Sequence, residues 1–142
     1  RIRGLTPRNW GSSLRGCMVA LNRYLRGWYG YYRLCTEPGA RRLSRIDAHV
    51  RRRLRAIIIR QKGRCPRSLL RHLLQRGVSV KSATKTASSR RGAWFKSSTY
   101  GMHQAYGNQW FYDRVTTLMR LWERENHQPK WVLPQQLTLF GA

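Results

Sequence analysis

The chain has 142 residues, and its 29 Lys and Arg against 5 Asp and Glu give a formal net charge of +24 and an isoelectric point near 11.7. Hydrophobic residues make up 41% of it, including six Trp and seven Tyr, which is too apolar for a disordered basic tail. The longest aliphatic run, residues 56–59, is far shorter than the ~20 residues of a membrane-spanning helix. The sequence begins with Arg1 and shows no signal-peptide pattern, so we expect a segment of a larger protein or a processed chain.

The balance between arginine and lysine predicts the kind of partner. Of the 29 cationic residues, 24 are Arg and five are Lys. A surface this positive repels itself, so we expect a polyanion to neutralise it. The planar guanidinium binds two phosphate oxygens at once and stacks on bases, which the lysine ammonium does not do. We therefore expect nucleic acid as the partner, with anionic lipid as the alternative, although the sequence has no lipidation motif and we expect no membrane association.

The residues that carry most enzyme chemistry are scattered. Cys17, Cys35 and Cys65 are widely spaced and the four His are isolated, so we expect no metal site and three thiols buried in a reducing cytoplasm. The acids are isolated too, and Glu123 and Glu125 point to different sides of a helix, unlike the acidic cluster of two-metal catalysis. The sequence also lacks a phosphate-binding G-x-x-x-x-G-K-[ST] loop and a G-x-S-x-G motif. We expect no catalytic site and no cofactor in this chain.

The first predicted helix follows a lead-in. Residues 1–11 are rich in Gly, Pro and Arg and predict an extended segment, after which Ser12 or Ser13 serves as N-cap. Apolar residues then recur at spacings of four and three, which predicts a helix with one buried stripe. Gly27 and Gly30 each cost about 1 kcal/mol inside a helix, so we expect either close helix packing or close approach of a ligand there. The stripe consists of Leu14, Met18, Leu21, Leu25, Trp28 and Tyr32.

A second helix is predicted from about residue 40 to residue 61, after a break at residues 36–39. Its inward-facing residues are Leu43, Ile46, Val50, Leu54, Ile57 and Ile58. Its other face carries Arg41, Arg42, Arg45, Arg51, Arg52, Arg53, Arg55 and Arg60, opposed only by Asp47. A short leucine-rich helix follows and ends at Gly77, the residue after its C-cap. Residues 12–77 are thus expected to form a bundle of three helices.

Residues 78–100 are rich in Ser, Thr and basic residues, and they predict a short helix followed by a tight loop over residues 90–96. Basic and aromatic side chains alternate in that loop, which suits a phosphate contact beside a stacked base. Alternatively, Trp94 and Phe95 anchor the loop to the core.

A last helical region is predicted over residues 102–125, with a break near Gly107 and an inward stripe that includes Leu118 and Trp122. From residue 126 to residue 142 we expect a flexible extended tail, because prolines exclude a helix there. The sequence therefore predicts an all-α fold, a basic helical bundle with an extended C-terminal tail.

The basic residues of the first two helices and of the loop are the candidate nucleic-acid contacts. If the protein makes six to ten phosphate contacts, raising the salt concentration from about 50 to 200 mM would lower its affinity roughly 10³- to 10⁵-fold. On an RNA partner, shape and unpaired bases would provide discrimination, because side chains do not enter the narrow A-form major groove. The candidates are Arg23, Arg26, Arg41, Arg42, Arg45, Arg51, Arg52, Arg53, Arg55, Arg90, Arg91 and Lys96.

Several segments occur together in the order typical of one family. They are LNRYLRGWYGYYRL at residues 21–34, LTPRNWGSSL before it, and TASSRRGAWFKSS and MHQAYGNQWF after it. With Ile46-Asp47 and the run at residues 51–54, this series resembles the maturase-specific region of group II intron reverse transcriptases. The similarity covers residues 5–122.

The resemblance implies a thumb-like three-helix bundle over residues 12–77, followed over residues 78–125 by the rest of the maturase domain, also called domain X. It implies binding of group II intron RNA to promote splicing, and support of retrohoming by gripping the template-primer. The family's polymerase residues, a Y-x-D-D motif with its Mg²⁺, belong to a palm domain, and that motif does not occur here. A bacterial cytoplasmic protein, associated with the nucleoid when it acts on DNA, is also implied.

Two alternatives stay open. The same module could belong to a reverse transcriptase of a CRISPR-associated or defence system, where it would grip template and primer. A free-standing basic RNA chaperone would need no polymerase at all.

The C-terminal tail contains a second motif. Residues 136–140, QLTLF, are similar to the Q-L-[SD]-L-F peptide that binds the bacterial sliding clamp. Gln136 would be its polar anchor, while Leu137, Leu139 and Phe140 would fill an apolar groove. Such binding would bring an intron protein without a nuclease domain to replication forks. The alternative is that the three apolar residues fold back on the helical bundle.

Overall fold

A computed structural model describes residues 1–6, 13–34 and 37–126. The described residues form helices and turns without a strand, which confirms the all-α prediction. The helices are α1 (Ile2–Leu5), α2 (Leu14–Tyr32), α3 (Glu37–Lys62), α4 (Pro66–Gln75), α5 (Val80–Ser88), α6 (Ala93–Lys96), α7 (Tyr100–Ala105), α8 (Asn108–Tyr112) and α9 (Leu118–Asn126).

Helix α2 begins where the sequence predicts, since the Ser13 hydroxyl accepts a hydrogen bond from the Gly16 N–H at 3.2 Å. Its buried stripe agrees with the prediction as far as Leu25 and then differs. Tyr29 is buried, whereas Tyr32 is 47% exposed and stacks on Trp28 at 3.9 Å. The physical reason is the helical period: a step of four from Leu25 reaches Tyr29, which stays on the inner face.

Helix α3 is the central element and contacts α2, α4, α6 and α9. It begins at Glu37, three residues before the predicted start, because proline is tolerated in the first turn of a helix. The inward stripe is confirmed, with Ile46 only half-buried. The buried apolar residues of α3 are Leu43, Val50, Leu54, Ile57, Ile58 and Ile59.

The connection from α3 to α4 is tight. The Gly63 N–H donates to the Ile59 carbonyl oxygen at 2.7 Å, and a Cβ at Gly63 would lie 2.7 Å from that same oxygen. Cys65 is the N-cap of α4 and is exposed, so the expectation of buried thiols is wrong for Cys65, although Cys17 is buried. Cys35 lies outside the described residues. Gly77 follows α4 with a φ of 79°, as predicted for a residue after the C-cap.

The C-terminal half consists of shorter helices than the sequence predicts. The expected loop over residues 90–96 contains one helical turn, α6. The region from residue 102 is broken near Gly107, as predicted, and again over residues 113–117. The first two backbone N–H groups of α9, on Leu118 and Met119, donate to the carboxylate of Asp47 at 3.0 and 2.9 Å. Buried side chains of α2–α5 and α7–α9 join in one hydrophobic cluster.

The N-terminal lead-in differs from the prediction over its first residues, because residues 2–5 form the helical turn α1. The guanidinium of Arg53 on α3 donates to the hydroxyl and carbonyl oxygens of Thr6 and holds this turn in place. The rest of the predicted lead-in, the predicted tail from residue 127 and the QLTLF motif lie outside the described residues.

None of the described helices combines the length and the apolar composition that a membrane-spanning helix needs. Among the described residues, no group of three or more His, Cys, Asp or Glu side chains is placed so that it could hold a metal ion.

Candidate nucleic-acid interface

The exposed arginines on the first half of α3 form the clearest basic surface. Arg41, Arg42 and Arg45 are all exposed there. Asp47, by contrast, is only 4% exposed, and both of its carboxylate oxygens accept backbone hydrogen bonds from the start of α9. Its negative charge is therefore directed into the protein, and it does not cover the three exposed guanidinium groups.

Arg53, a candidate RNA contact, is bonded within the protein. Its Nη2 donates to the carbonyl oxygen of Thr6, and to that of Arg3 at 3.4 Å. Successive residues of a helix are about 100° apart, so Arg51 to Arg55 do not form one exposed row. Arg53 points towards α1 and contributes to the fold.

Arg55, another candidate, is buried, with 3% of its surface exposed. Its Nε donates to the carbonyl oxygen of Tyr106 at 2.9 Å, and its guanidinium lies 5.2 Å from the ring centroid of Phe111. Burial, and next the charge of Arg51, lowers the pKa of Arg55 to about 10. Arg55 thus stays charged at neutral pH and joins α3 to the end of α7.

Trp94 is packed against Arg52 and is only partly exposed. The Arg52 guanidinium carbon lies 4.1 Å from the centroid of the Trp94 ring, and its Nη2 donates to the Trp94 carbonyl oxygen at 3.4 Å. The His49 ring packs on Trp94 at 5.8 Å. These contacts favour the alternative interpretation, in which Trp94 anchors the segment to the rest of the protein.

The other residues of the 90–96 segment are more accessible. Arg90 and Arg91 are exposed, and Arg91 lies 4.3 Å above the ring of Phe95, which is 41% exposed. Lys96 differs because its Nζ donates to the Ala87 carbonyl oxygen at 3.2 Å. A cation stacked on an exposed aromatic ring can contact both a phosphate and a base.

Arg51, Arg52 and Arg55 line one cleft of about 320 Å³ between α3 and the segment from the end of α6 to α8. His103 lies in the same cleft, and its pKa is lowered by burial first and then by the charges of Arg55 and Arg51. The remaining lining residues are Ala48, Ser97, Ser98 and Asn108.

A second basic cleft, of about 590 Å³, lies between α2 and α9. Arg26, a candidate from the sequence, lines it together with Arg114, Arg120 and Arg124, which we did not predict. The spacing of Arg120 and Arg124, four residues apart, could have indicated a basic face on α9. Two acids, Asp113 and Glu123, also line this cleft, so its positive charge is partly balanced.

Asn22 of α2 fixes the position of the segment that lines this second cleft. Its Nδ2 donates to the Arg114 carbonyl oxygen at 3.0 Å, and its Oδ1 accepts from the Thr116 N–H at 2.6 Å. Further along α2, the candidate Arg23 is exposed. A Cβ at Gly27 or Gly30 would meet no atom within 4 Å in the described structure, so packing against another of its helices does not explain either glycine.

Comparison with protein families assigns the N-terminal part of the chain. Residues 1–77, more than half of the chain, match the model of the family described as group II intron, maturase-specific domain. The match begins with α1 and ends at Gly77, so it includes α2, α3 and α4. No curated protein matches the chain.

Proposed function

Because this chain belongs to the family of group II intron maturase-specific domains, we propose that it binds group II intron RNA and thereby promotes splicing. The family supports an intron RNA as the partner. The excess of guanidinium groups supports the mode of binding, since arginine pairs with phosphate and stacks on unpaired bases.

The observation that carries this proposal is the exposed basic surface of α3. Arg41, Arg42 and Arg45 are exposed on one helix, while Asp47 is buried under α9. A row of cations that neutralises phosphates of a polyanion gives salt-dependent binding. Arg91 on the exposed ring of Phe95 supplies a separate contact of the kind that favours unpaired bases.

The test compares two RNAs of equal length, a group II intron and an unrelated structured RNA. Filter binding of the purified chain at about 50 and 200 mM salt gives both affinity and salt dependence. We expect a preference for the intron that persists at the higher salt. Equal binding that collapses at the higher salt would contradict the proposal and favour a general RNA chaperone.

We further propose that residues 12–77 act as the thumb of a reverse transcriptase, which grips the template-primer and supports retrohoming. The ordered series of family segments supports this role. In primer extension by the full-length protein, charge removal at Arg41, Arg42 and Arg45 should shorten the products made per binding event. Products of unchanged length would contradict a thumb role.

For residues 136–140 we propose binding to the bacterial sliding clamp. The support is the sequence alone: a polar anchor, Gln136, precedes three apolar residues in a proline-flanked segment. Such a contact would direct the protein to replicating DNA.

A further inference from the structure

The cleft between α3 and the segment from the end of α6 to α8 collects positive charge, which Asp47, outside its lining, partly offsets through its interaction with Arg51. Arg51, Arg52 and Arg55 line one side, and His103 and Asn108 lie in the same cleft. Its described lining contains no Asp or Glu. Like charges this close repel each other, and an anion among them would remove that repulsion.

Two guanidinium nitrogens here are buried without a hydrogen-bond acceptor among the described residues. They are Nε of Arg52 and Nη2 of Arg55. The Arg55 side chain is 3% exposed, and its Nε already donates to the Tyr106 carbonyl oxygen. Buried N–H groups almost always have an acceptor, so these unpaired donors on charged side chains favour an acceptor next to them, either water or an anion.

We propose that this cleft binds a single phosphodiester group of the RNA backbone, with Arg51 and Arg55 as its charged donors and the Asn108 amide as its neutral donor. The proposal rests on the proposed function, since it assigns one phosphate of the bound RNA to one place on the protein. The cleft differs from the exposed arginines of α3, which attract a backbone without fixing any one phosphate.

The kinds of donor that line the cleft favour a phosphate. Its oxygens accept hydrogen bonds in several directions at once, so a guanidinium fork and an amide can share one group. The hydroxyls of Ser97 and Ser98 already donate to the carbonyl oxygens of Trp94 and Phe95, at 2.7 and 2.9 Å. The donors left for a ligand are therefore those of the arginines, Asn108 and one ring nitrogen of His103.

A matched pair of variants tests the cleft. Asn108 and Gln109 are adjacent and exposed on α8, but only Asn108 lines the cleft. Asn108→Asp and Gln109→Glu each add one negative charge to the full chain. A carboxylate about 6 Å from a phosphate, at an effective dielectric constant of about 40, should weaken intron RNA binding about tenfold. Gln109→Glu should weaken it less than about threefold.

Equal losses in the two variants would overturn the cleft proposal while leaving intron RNA binding intact. Failure of the unaltered chain to prefer intron RNA would instead contradict the proposed function. Circular dichroism checks that both variants fold. Should Asn108→Asp not fold, Arg51→Gln replaces it, with Arg60→Gln on the same helix as the control that removes the same charge outside the cleft.

A second measurement distinguishes a phosphodiester from free phosphate. The Nε–H signals of arginine side chains are followed by NMR while the unaltered chain is titrated with an intron-derived RNA hairpin or with inorganic phosphate. We expect the hairpin to shift the signals of Arg51 and Arg55 at concentrations at least a hundredfold below those needed with inorganic phosphate. Shifts with inorganic phosphate alone, or shifts by the hairpin confined to Arg41 and Arg45, would overturn the proposal.

Discussion

The carboxylate of Asp47 should contribute strongly to the stability of the protein, because it joins α3 to the start of α9. Both oxygens accept backbone N–H groups of α9, at 3.0 and 2.9 Å, and the side chain is 4% exposed. A hydrogen bond to a charged group is worth about 1.5–3 kcal/mol, and loss of an N-cap costs up to about 2 kcal/mol. Burial of the charge offsets part of this gain. We expect Asp47→Ala to lower the free energy of unfolding by about 3 kcal/mol.

Urea unfolding followed by circular dichroism measures this change. Asp113→Ala is the matched control, since it removes one negative charge at an exposed position and should change the free energy of unfolding by less than about 0.5 kcal/mol. Asp47→Asn keeps one carbonyl acceptor and should cost about half as much as Asp47→Ala. If Asp47→Ala and Asp113→Ala had equal effects, the capping role of Asp47 would be refuted.

The same carboxyl predicts a pH dependence. Burial raises the pKa of Asp47 above its ordinary value of 3.8, and the hydrogen bonds to α9 and the charge of Arg51 offset only part of that rise. The folded protein then binds the proton more tightly than the unfolded chain does, so this group's contribution to stability falls as pH rises from about 3.8 through the raised pKa. The difference in unfolding free energy between the unaltered chain and Asp47→Asn should therefore decrease over that range and level off above it. A difference that increases over that range would contradict this sign.

Three further predictions concern single features of the chain. A Cβ at Gly101 would lie 2.7 Å from a threonine hydroxyl and 2.9 Å from a carbonyl oxygen of α5, so Gly101→Ala should lower the free energy of unfolding by about 2 kcal/mol. Gly27 has open space around it, so Gly27→Ala should raise the free energy of unfolding by about 1 kcal/mol in the same urea assay. Arg52→Lys removes the guanidinium stacked on Trp94 and should cost about 1 kcal/mol and speed proteolysis near α6; an unchanged rate would contradict the anchoring role. Deletion of residues 135–142 should abolish capture by immobilised sliding clamp, and undiminished capture would end that proposal.

The long helices could be predicted from the sequence because their own residues determine them. In α3 the apolar spacing from Leu43 to Ile58 predicts the buried face. In α4 the glycine after the C-cap, Gly77, predicts the end. The second break, over residues 113–117, depends on contacts distant in sequence. Asn22 bonds to this segment and Asp47 caps the helix after it, and neither pairing leaves a local pattern.

The composition predicted an arginine-rich interface, but it could not rank the arginines. Arg51 and Arg55 are one helical turn apart, yet only Arg55 is nearly fully buried. A buried guanidinium is rare and depends on acceptors and rings from other elements, here Tyr106 and Phe111. The role of Asn108 could not be foreseen either, because a lone asparagine has no distinguishing pattern until the fold places it beside charged groups.

The most direct test of RNA binding by the exposed surface of α3 uses two triple variants with the same loss of charge. One variant carries Arg41→Gln, Arg42→Gln and Arg45→Gln. The control replaces three other exposed arginines with glutamine, at positions 64, 67 and 71, in and just before α4. Intron RNA affinity is measured for both over a range of salt concentrations. We expect the α3 variant to lower the slope of log affinity against log salt by about 2–3, as for three lost phosphate contacts, and the control to change it by less than about 1. Equal changes in both variants would contradict an interface located on α3.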